Sequence, residues 1–114
     1  IWSMEQHLQA MVLCRLLRQG EPKRQAVAAA MNMSTRTLQR RLQEEGVSFQ
    51  QLLERTRREL ALQYLGQPQL TLFEIACMLG FADPSNFFRA FKRWFGLPPG
   101  QYREQVLQDQ SEEE

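Results

Sequence analysis

Apolar residues recur along the chain at intervals of three and four, and no stretch alternates apolar with polar residues. The first spacing places side chains on one face of an α-helix, whereas alternation is typical of a half-buried strand. The pattern therefore predicts an all-α protein with seven helices. These are expected at residues 3–19, 22–31, 34–45, 48–65, 71–79, 83–95 and 100–108.

Residues that begin and end helices support these boundaries. Side chains that accept a hydrogen bond from the first turn are favoured at the N-cap, and proline is tolerated at the first helical position. Glycine is favoured just past the C-terminus. The expected N-caps are Ser3, Ser34, Ser48, Thr71 and Asp83, the last followed by Pro84, and the expected stops are Gly20, Gly46, Gly66, Gly80 and Gly96.

The same spacing predicts which face of each helix is buried. For the first helix the expected apolar stripe is Met4, Leu8, Met11, Val12 and Leu16. For the second helix it is Ala26, Val27 and Ala30. The sixth helix has Phe87, Phe91 and Phe95 at intervals of four, which predicts a core stripe. A base-stacking platform for single-stranded nucleic acid is the alternative for these aromatic residues.

Two segments, residues 25–42 and 71–95, have the same order of short helix, tight turn and second helix, which is typical of a helix-turn-helix. Ala28 and Ala76 correspond in the two segments, where a small side chain lets two helices cross closely. A helix over residues 48–65, roughly 27 Å long, joins them. We expect a first subdomain at residues 1–46, a linker helix at 47–66, a second subdomain at 67–108 and an acidic disordered tail at 109–114.

Charge is distributed unevenly along the chain. The formal net charge is +1, but residues 104–114 hold five acidic and no basic residues. Residues 1–103 therefore have 8 acidic against 14 basic residues, a formal charge of +6. Such a body attracts phosphate, although many proteins without nucleic-acid ligands are equally basic.

The third helix presents polar side chains opposite its expected core anchors, Leu38 and Leu42. Arg36, Gln39 and Arg40 lie on that polar face, and such side chains pair with guanine and adenine edges in the major groove. Three flanking residues suit contacts with DNA phosphates: Thr35, Thr37 and Arg41. A merely solvated helix face is the alternative.

The sixth helix has a similar polar face. Base-reading candidates near its N-terminal end are Ser85, Asn86 and Arg89, and phosphate-binding candidates further along are Lys92 and Arg93. Arg55, Arg57 and Arg58 cluster on the linker helix. They either contact the DNA backbone or solvate an exposed helix face.

Catalytic, metal-binding and membrane-spanning patterns are absent from the sequence. With His7 as the single histidine, no Ser-His-Asp or Cys-His set can be assembled. Cys14 and Cys77 are too far apart for a zinc site, and two buried reduced thiols are expected. No glycine-rich phosphate loop and no run of 18 apolar residues occurs. We therefore expect no enzyme activity, no cofactor, no metal and a cytoplasmic location.

The sequence FFRAFKRWFG at residues 87–96, followed by Pro98-Pro99 and Tyr102-Arg103, closely resembles the closing signature of the AraC/XylS family of bacterial transcription regulators. Ile75-Ala76 with Gly80-Phe81 fits that family's second helix-turn-helix, and MSTRTLQR at residues 33–40 resembles its first recognition helix. The resemblance extends over roughly residues 5–105. The continuation to Gly46 and Ser48-Phe49 is similar to the subset with an arabinose-binding-like N-terminal domain, which includes virulence and quorum-sensing regulators of pseudomonads.

This resemblance implies a seven-helix domain whose two recognition helices enter successive major-groove segments of promoter DNA. It implies base reading by Arg36, Gln39 and Arg40 in the first unit and by Ser85, Asn86 and Arg89 in the second. It also implies transcription activation through RNA polymerase, with dimerisation in an N-terminal domain. The chain starts at Ile1 without an initiator Met, so we expect it to be a fragment of such a regulator.

One position departs from the family pattern. Pro84 replaces the polar residue that the family often has at the start of the second recognition helix, so weaker base reading is expected from the second unit. The rival hypothesis is an all-α protein-interaction module whose basic faces bind an acidic protein. Binding to random duplex DNA at low salt discriminates the two.

Overall fold

The computed structural model describes residues 3–113, and within them it contains seven α-helices and no strand. The predicted all-α fold is confirmed. The helices are α1 (Met4–Leu17), α2 (Arg24–Ala30), α3 (Thr35–Glu44), α4 (Phe49–Leu65), α5 (Leu72–Met78), α6 (Pro84–Phe95) and α7 (Pro99–Glu113).

The predicted N-caps are all present. The side chains of Ser3, Ser34, Ser48 and Thr71 each accept a hydrogen bond from the backbone N–H three residues on. Asp83 accepts from the N–H of Ser85, with proline at the first helical position between them. These local hydrogen bonds satisfy backbone donors that a helix leaves unpaired at its start, so short sequence signals were sufficient to locate these five helix starts. Helix α2 begins at Arg24 rather than at the predicted Pro22, and its N-cap Lys23 makes no side-chain hydrogen bond.

Helix α4 is the shared element around which the others pack. It contacts α1 of the first unit and both α5 and α7 of the second. Within the units, α2 packs on α3 and α5 packs on α6. Ala28 and Ala76 are each only 1% exposed, as their matching positions in the two units predict. The buried residues form one continuous core that runs through both helix-turn-helix units.

The predicted inner faces of α1 and α2 are only partly correct. Val27 is in the core and Val12 and Leu16 pack against it, and the side chain of Met4 lies outside what the structure describes. Leu8 and Met11 are 51% and 68% exposed, whereas Leu13 and Leu17 are fully buried. The buried face of α1 also contains the polar residues Gln6 and Gln9. Because these two are not apolar, the apolar spacing indicated a neighbouring stripe of the helix instead. In α2 the buried residues are Val27 and Ala28, and the predicted positions 26 and 30 are exposed, because α2 packs between α1 and α3.

Three further expectations differ from the structure. Helix α7 continues to Glu113, so the segment 109–113 is helical rather than disordered; it contains no glycine or proline that would end a helix. Residues 1–2 and Glu114, the end of the predicted acidic tail, lie outside the described residues.

Cys77 is exposed rather than buried, because α5 turns that side chain away from its Ile75–Ala76 face. Cys14 is half-buried, and burial raises the pKa of its thiol.

Two other kinds of feature are absent from the described residues. No helix there is both long enough and apolar enough to cross a lipid bilayer. No group of three or more histidine, cysteine or acidic side chains is arranged to hold a metal ion there.

Candidate nucleic-acid interface

The polar face of α3 is exposed and continuous. Leu38 and Leu42 anchor the opposite side of the helix in the core, at 1% and 3% exposure. A shallow surface depression follows the polar side, and we call its lining the α3 surface. It consists of Thr35, Arg36, Thr37, Gln39, Arg40 and Gln43. The structure thus brings together five of the six first-unit residues selected from the sequence.

Gln43 is a member of the α3 surface that the sequence analysis missed. It lies one helical turn beyond Gln39 and Arg40, so continuing the same periodicity by one step would have found it. A glutamine amide can pair in a bidentate manner with adenine. The candidate base-reading row is therefore one turn longer than expected.

Arg41 is the first-unit residue that lies away from the α3 surface. Its Nη1 is 3.2 Å from Oε1 of Glu5 on α1. Arg40, by contrast, has a single partner among residues 3–113, the exposed Glu44 one turn on, at 3.9 Å. Exposed pairs of this kind contribute about 0.3–0.5 kcal/mol, so Arg40 can exchange its partner at little cost.

The N-terminus of α3 is fixed by its own side chains. Ser34 Oγ accepts from the backbone N–H of Thr37 at 3.1 Å and donates to Thr37 Oγ1 at 2.9 Å. The Thr37 hydroxyl is therefore engaged in the helix cap. Because it accepts from Ser34, its own proton is left to donate to an acceptor such as a phosphate oxygen.

The aromatic residues of α6 form a core stripe, as the spacing predicts. Phe87 and Phe91 are fully buried, and ring centroids are 6.0 Å apart between these two and 4.7 Å apart between Phe91 and Phe95. Rings that are buried against the core cannot stack on bases. The base-stacking alternative is therefore wrong for Phe87 and Phe91.

The N-terminal part of α6 exposes its three base-reading candidates, but each has a partner within the helix. Ser85 Oγ donates to Asp83 Oδ1 at 2.8 Å, and Arg89 Nη2 donates to Asn86 Oδ1. The backbone N–H and then the hydroxyl of Ser85 lower the pKa of Asp83. Each of these hydrogen bonds occupies a donor or acceptor that could otherwise bind a base. Pro84 has no side-chain donor to add.

The C-terminal part of α6 is joined to α4 by one carboxylate. Glu54 Oε1 accepts from Trp94 Nε1 at 2.7 Å and from Arg93 Nη2 at 3.0 Å. These two hydrogen bonds, that of Trp94 foremost, lower the pKa of Glu54. The neighbouring Lys92 is exposed. Of the two phosphate candidates, Lys92 and Arg93, only Arg93 is held by a carboxylate among the described residues. No local signal could have identified Glu54, which is 40 residues from Trp94 in sequence.

Two other arginines bind backbone carbonyls. Arg57 is buried and donates to carbonyls at the end of α5, so both alternatives considered for it from the sequence are wrong. Arg103 on α7 donates to four carbonyls at and after the end of α4, those of Tyr64, Leu65, Gln67 and Leu70. Arg58 is exposed, and with Arg55 it lines a surface depression beside Glu54.

Comparison with known proteins gives a consistent result. The family model described as a helix-turn-helix domain matches residues 27–105. The chain is 47% identical over 89 residues to the HTH-type transcriptional regulator VirS of Mycobacterium tuberculosis, covering 78% of this chain and 26% of VirS. It is 40% identical over 82 residues to the urease operon transcriptional activator of Escherichia coli, covering 72% of this chain and 28% of that protein.

A solved structure shares the arrangement of helices. The DNA-binding domain of AdpA, a global transcriptional factor solved in complex with a target DNA, superposes with a TM-score of 0.66 at 28% identity. The match covers 85% of this chain and 90% of that domain. The chain spans about a quarter of the length of the curated relatives it matches.

Proposed function

The chain belongs to the AraC family of helix-turn-helix transcription regulators, and we propose that it reads promoter DNA through two successive major-groove segments. In this proposal α3 enters one segment and α6 enters the next. Residues 1–46 and 67–108 act as the two DNA-binding units, and residues 47–66 join them. Recognition helices that bind successive segments on one side of a duplex are about 34 Å apart, one helical turn of DNA.

The observation that supports this most is the α3 surface. Arg36, Gln39 and Arg40 project from one side of a helix whose other side is fixed in the core. A rigid helix with exposed arginine and glutamine along one face fits the width of the major groove and its hydrogen-bonding pattern. Within residues 3–113, the side chains of Arg36 and Gln39 form no hydrogen bond, so no contact there must be broken before they bind a base.

The second unit is proposed to contribute less to sequence discrimination. Ser85, Asn86 and Arg89 are exposed in the right part of α6, but their hydrogen bonds within the helix compete with bases. Lys92 and Arg93 suit phosphate contacts that position the helix without reading sequence. In the first unit Thr35 and Thr37 suit the same role, and Arg41 does so only after leaving Glu5.

The regulatory action is proposed from the family. We propose that a longer regulator containing this chain activates transcription in the cytoplasm by contacting RNA polymerase, and that any dimer contact lies in its N-terminal domain. We propose neither a cofactor nor a catalytic activity for the chain itself. The 40% identical urease operon relative is named as an activator, which supports this direction of regulation.

Selection of bound sequences from a random duplex library, followed by sequencing, tests the function directly. We expect two short conserved boxes, with centres about one helical turn apart and the stronger preference in the box bound by α3. On the selected duplex, affinity should fall steeply between about 50 and 200 mM salt, because phosphate contacts release counterions. Absence of duplex binding at every salt concentration would contradict the proposal and favour the protein-interaction alternative.

A further inference from the structure

Arg57 is the arginine of α4 whose side chain is turned into the protein. It is 9% exposed, although the residue after it on the same helix, Arg58, is exposed. An arginine is rarely buried unless its guanidinium is paired and hydrogen-bonded, because desolvating a charge is costly. Its partners therefore indicate what it does.

The partners of Arg57 lie at the end of α5 and in the turn before α6. Its Nε donates to the carbonyl of Leu79 at 2.7 Å, and its Nη2 donates to the carbonyl of Gly80 at 3.2 Å. The guanidinium carbon lies 4.2 Å from the ring centroid of Phe81, within the range of a cation–π contact. Three successive residues of the α5–α6 connection are thus bound by one side chain of α4.

The same side chain reaches the first unit. Arg57 Nη1 is 3.9 Å from Oε1 of Glu21, which lies between α1 and α2. Beside this pair the two interhelical turns are in direct contact, since a Cβ on Gly80 would lie 2.8 Å from the carbonyl oxygen of Gly20. Gly80 also has a φ of +81°, which favours glycine. The α1–α2 turn, α4 and the α5–α6 turn therefore meet at Arg57.

We propose that Arg57 is the positioning residue that fixes α6 relative to α3, and that it thereby sets the spacing between the two DNA segments bound in one complex. This inference rests on the proposed function. Arg57 does not contact DNA in this proposal. It acts through the α5–α6 turn, which it holds against both α4 and the first unit.

A spacing assay tests the proposal with the whole chain. The probes are the two-box duplex obtained by selection and the same duplex with two base pairs inserted between the boxes, which rotates the second box by about 70°. We expect the unaltered chain to lose at least about tenfold in affinity on the stretched duplex. The Arg57→Met variant should bind both duplexes within about threefold, because its α5–α6 turn is no longer held against α4 and the first unit.

Arg58→Met is the matched control, being the same substitution on the next residue. It should keep the spacing preference of the unaltered chain. Arg57→Met should also leave the salt dependence unchanged, whereas a lost phosphate contact lowers the slope of the logarithm of affinity against the logarithm of salt concentration by about one. An unchanged preference in folded Arg57→Met, or a lower salt slope in it, would overturn the proposal.

A distance measurement separates this inference from the proposed function, because it needs no DNA. Cysteines are introduced at the exposed residues Glu44 and Lys92 in a Cys14→Ala, Cys77→Ser background and are spin-labelled. Double electron–electron resonance then measures the distance between α3 and α6. We expect a broader distance distribution with Arg57→Met and an unchanged one with Arg58→Met. Equal distance distributions for the two variants would contradict the positioning role. A broader distribution for Arg57→Met, combined with a selection experiment that yields no two-box duplex, would contradict only the proposed function.

The conservative variant covers the case in which Arg57→Met does not fold. Lysine can donate to one carbonyl of the α5 end, but it lacks the planar fork that binds two carbonyls and stacks on Phe81 at once. Arg57→Lys should therefore fold and show an intermediate spacing preference, weaker than that of the unaltered chain but stronger than equal binding to the two duplexes. A preference identical to that of the unaltered chain would mean that charge alone suffices and that the geometry of Arg57 does not set the spacing.

Discussion

Glu54 and Trp94 are joined by a 2.7 Å hydrogen bond from the indole Nε1 to the carboxylate Oε1, which links the linker helix to the second recognition helix. The neighbouring Arg93 donates to the same oxygen at 3.0 Å. One carboxylate therefore holds two consecutive residues of α6. The arrangement is strongest when Glu54 is ionised, because hydrogen bonds to a charged acceptor are stronger than those to a neutral one.

The first prediction concerns the pH dependence of this contact. The folded protein lowers the pKa of Glu54, so its contribution to stability is complete above the ordinary pKa of glutamate, about 4.3, and is lost as pH falls through the lower folded value. Urea unfolding at about pH 7, pH 5 and pH 3 should show a stability advantage of the unaltered chain over Glu54→Gln that is equal at the two higher pH values and smaller at the lowest. The advantage should be small, because the Glu54 side chain is 46% exposed.

Glu44→Gln is the control for that titration. Glu44 is 68% exposed and has a single partner at 3.9 Å, so this variant should match the unaltered chain throughout. A difference between the unaltered chain and Glu54→Gln that is as large at about pH 3 as at about pH 7 would contradict the assignment.

The second prediction concerns two leucines of α1 that have opposite environments. Leu13 is fully buried, whereas Leu8 is 51% exposed. Leu13→Ala should lower the free energy of unfolding by about 2–5 kcal/mol, because it removes buried methyl groups and leaves a cavity. Leu8→Ala should change it by less than about 0.5 kcal/mol. Denaturant unfolding measures both, and equal losses would mean that α1 buries the stripe expected from the apolar spacing.

These two leucines also show where sequence reasoning stops. The five capped helix starts, the core anchors Leu38 and Leu42, and the phenylalanine stripe of α6 could all be predicted, because each depends on contacts within one helix or on a strong period. The buried face of α1 could not, because it includes the polar Gln6 and Gln9. The amide of Gln9 is fully buried and, within residues 3–113, neither its nitrogen nor its oxygen has a hydrogen-bond partner.

The candidate site divides in the same way. The α3 surface follows from helical periodicity around two buried leucines, and the sequence therefore located all of it except Gln43. The roles of Glu54 and Arg57 depend on residues 40 and 22 positions away, which no local pattern identifies. Helical spacing does separate Arg57 from Arg58, because Arg57 lies four residues after Leu53 and four before Ala61 on the buried stripe of α4, but that spacing does not identify the carbonyls that Arg57 binds.

The third prediction concerns the second unit. Arg89→Ala should reduce the preference for the correct base in the α6 box by less than the roughly 1–3 kcal/mol typical of a good bidentate pair, because part of the Arg89 guanidinium is already engaged by Asn86. Lys92→Ala should instead weaken binding by a similar factor on every sequence and lower the salt slope by about one. Competition assays with single-base changes in the selected duplex measure both effects. A uniform loss for Arg89→Ala would show that Arg89 contacts only phosphate.

The fourth prediction concerns Arg40 and the residue after it, which differ in what they bind within the protein. Arg40 lies on the α3 surface with a weak exposed partner, whereas Arg41 is held 3.2 Å from Glu5 on α1. Arg40→Ala should therefore lose about 1–3 kcal/mol of discrimination at one base pair, as expected when a bidentate contact to guanine is removed. Arg41→Ala, the matched control, should leave the base preference unchanged.

Gel shifts on the selected duplex and on its single-base variants measure the preference directly. Equal weakening by Arg40→Ala on all of these duplexes would assign Arg40 to phosphate and leave Arg36, Gln39 and Gln43 as the base-reading residues of the first unit.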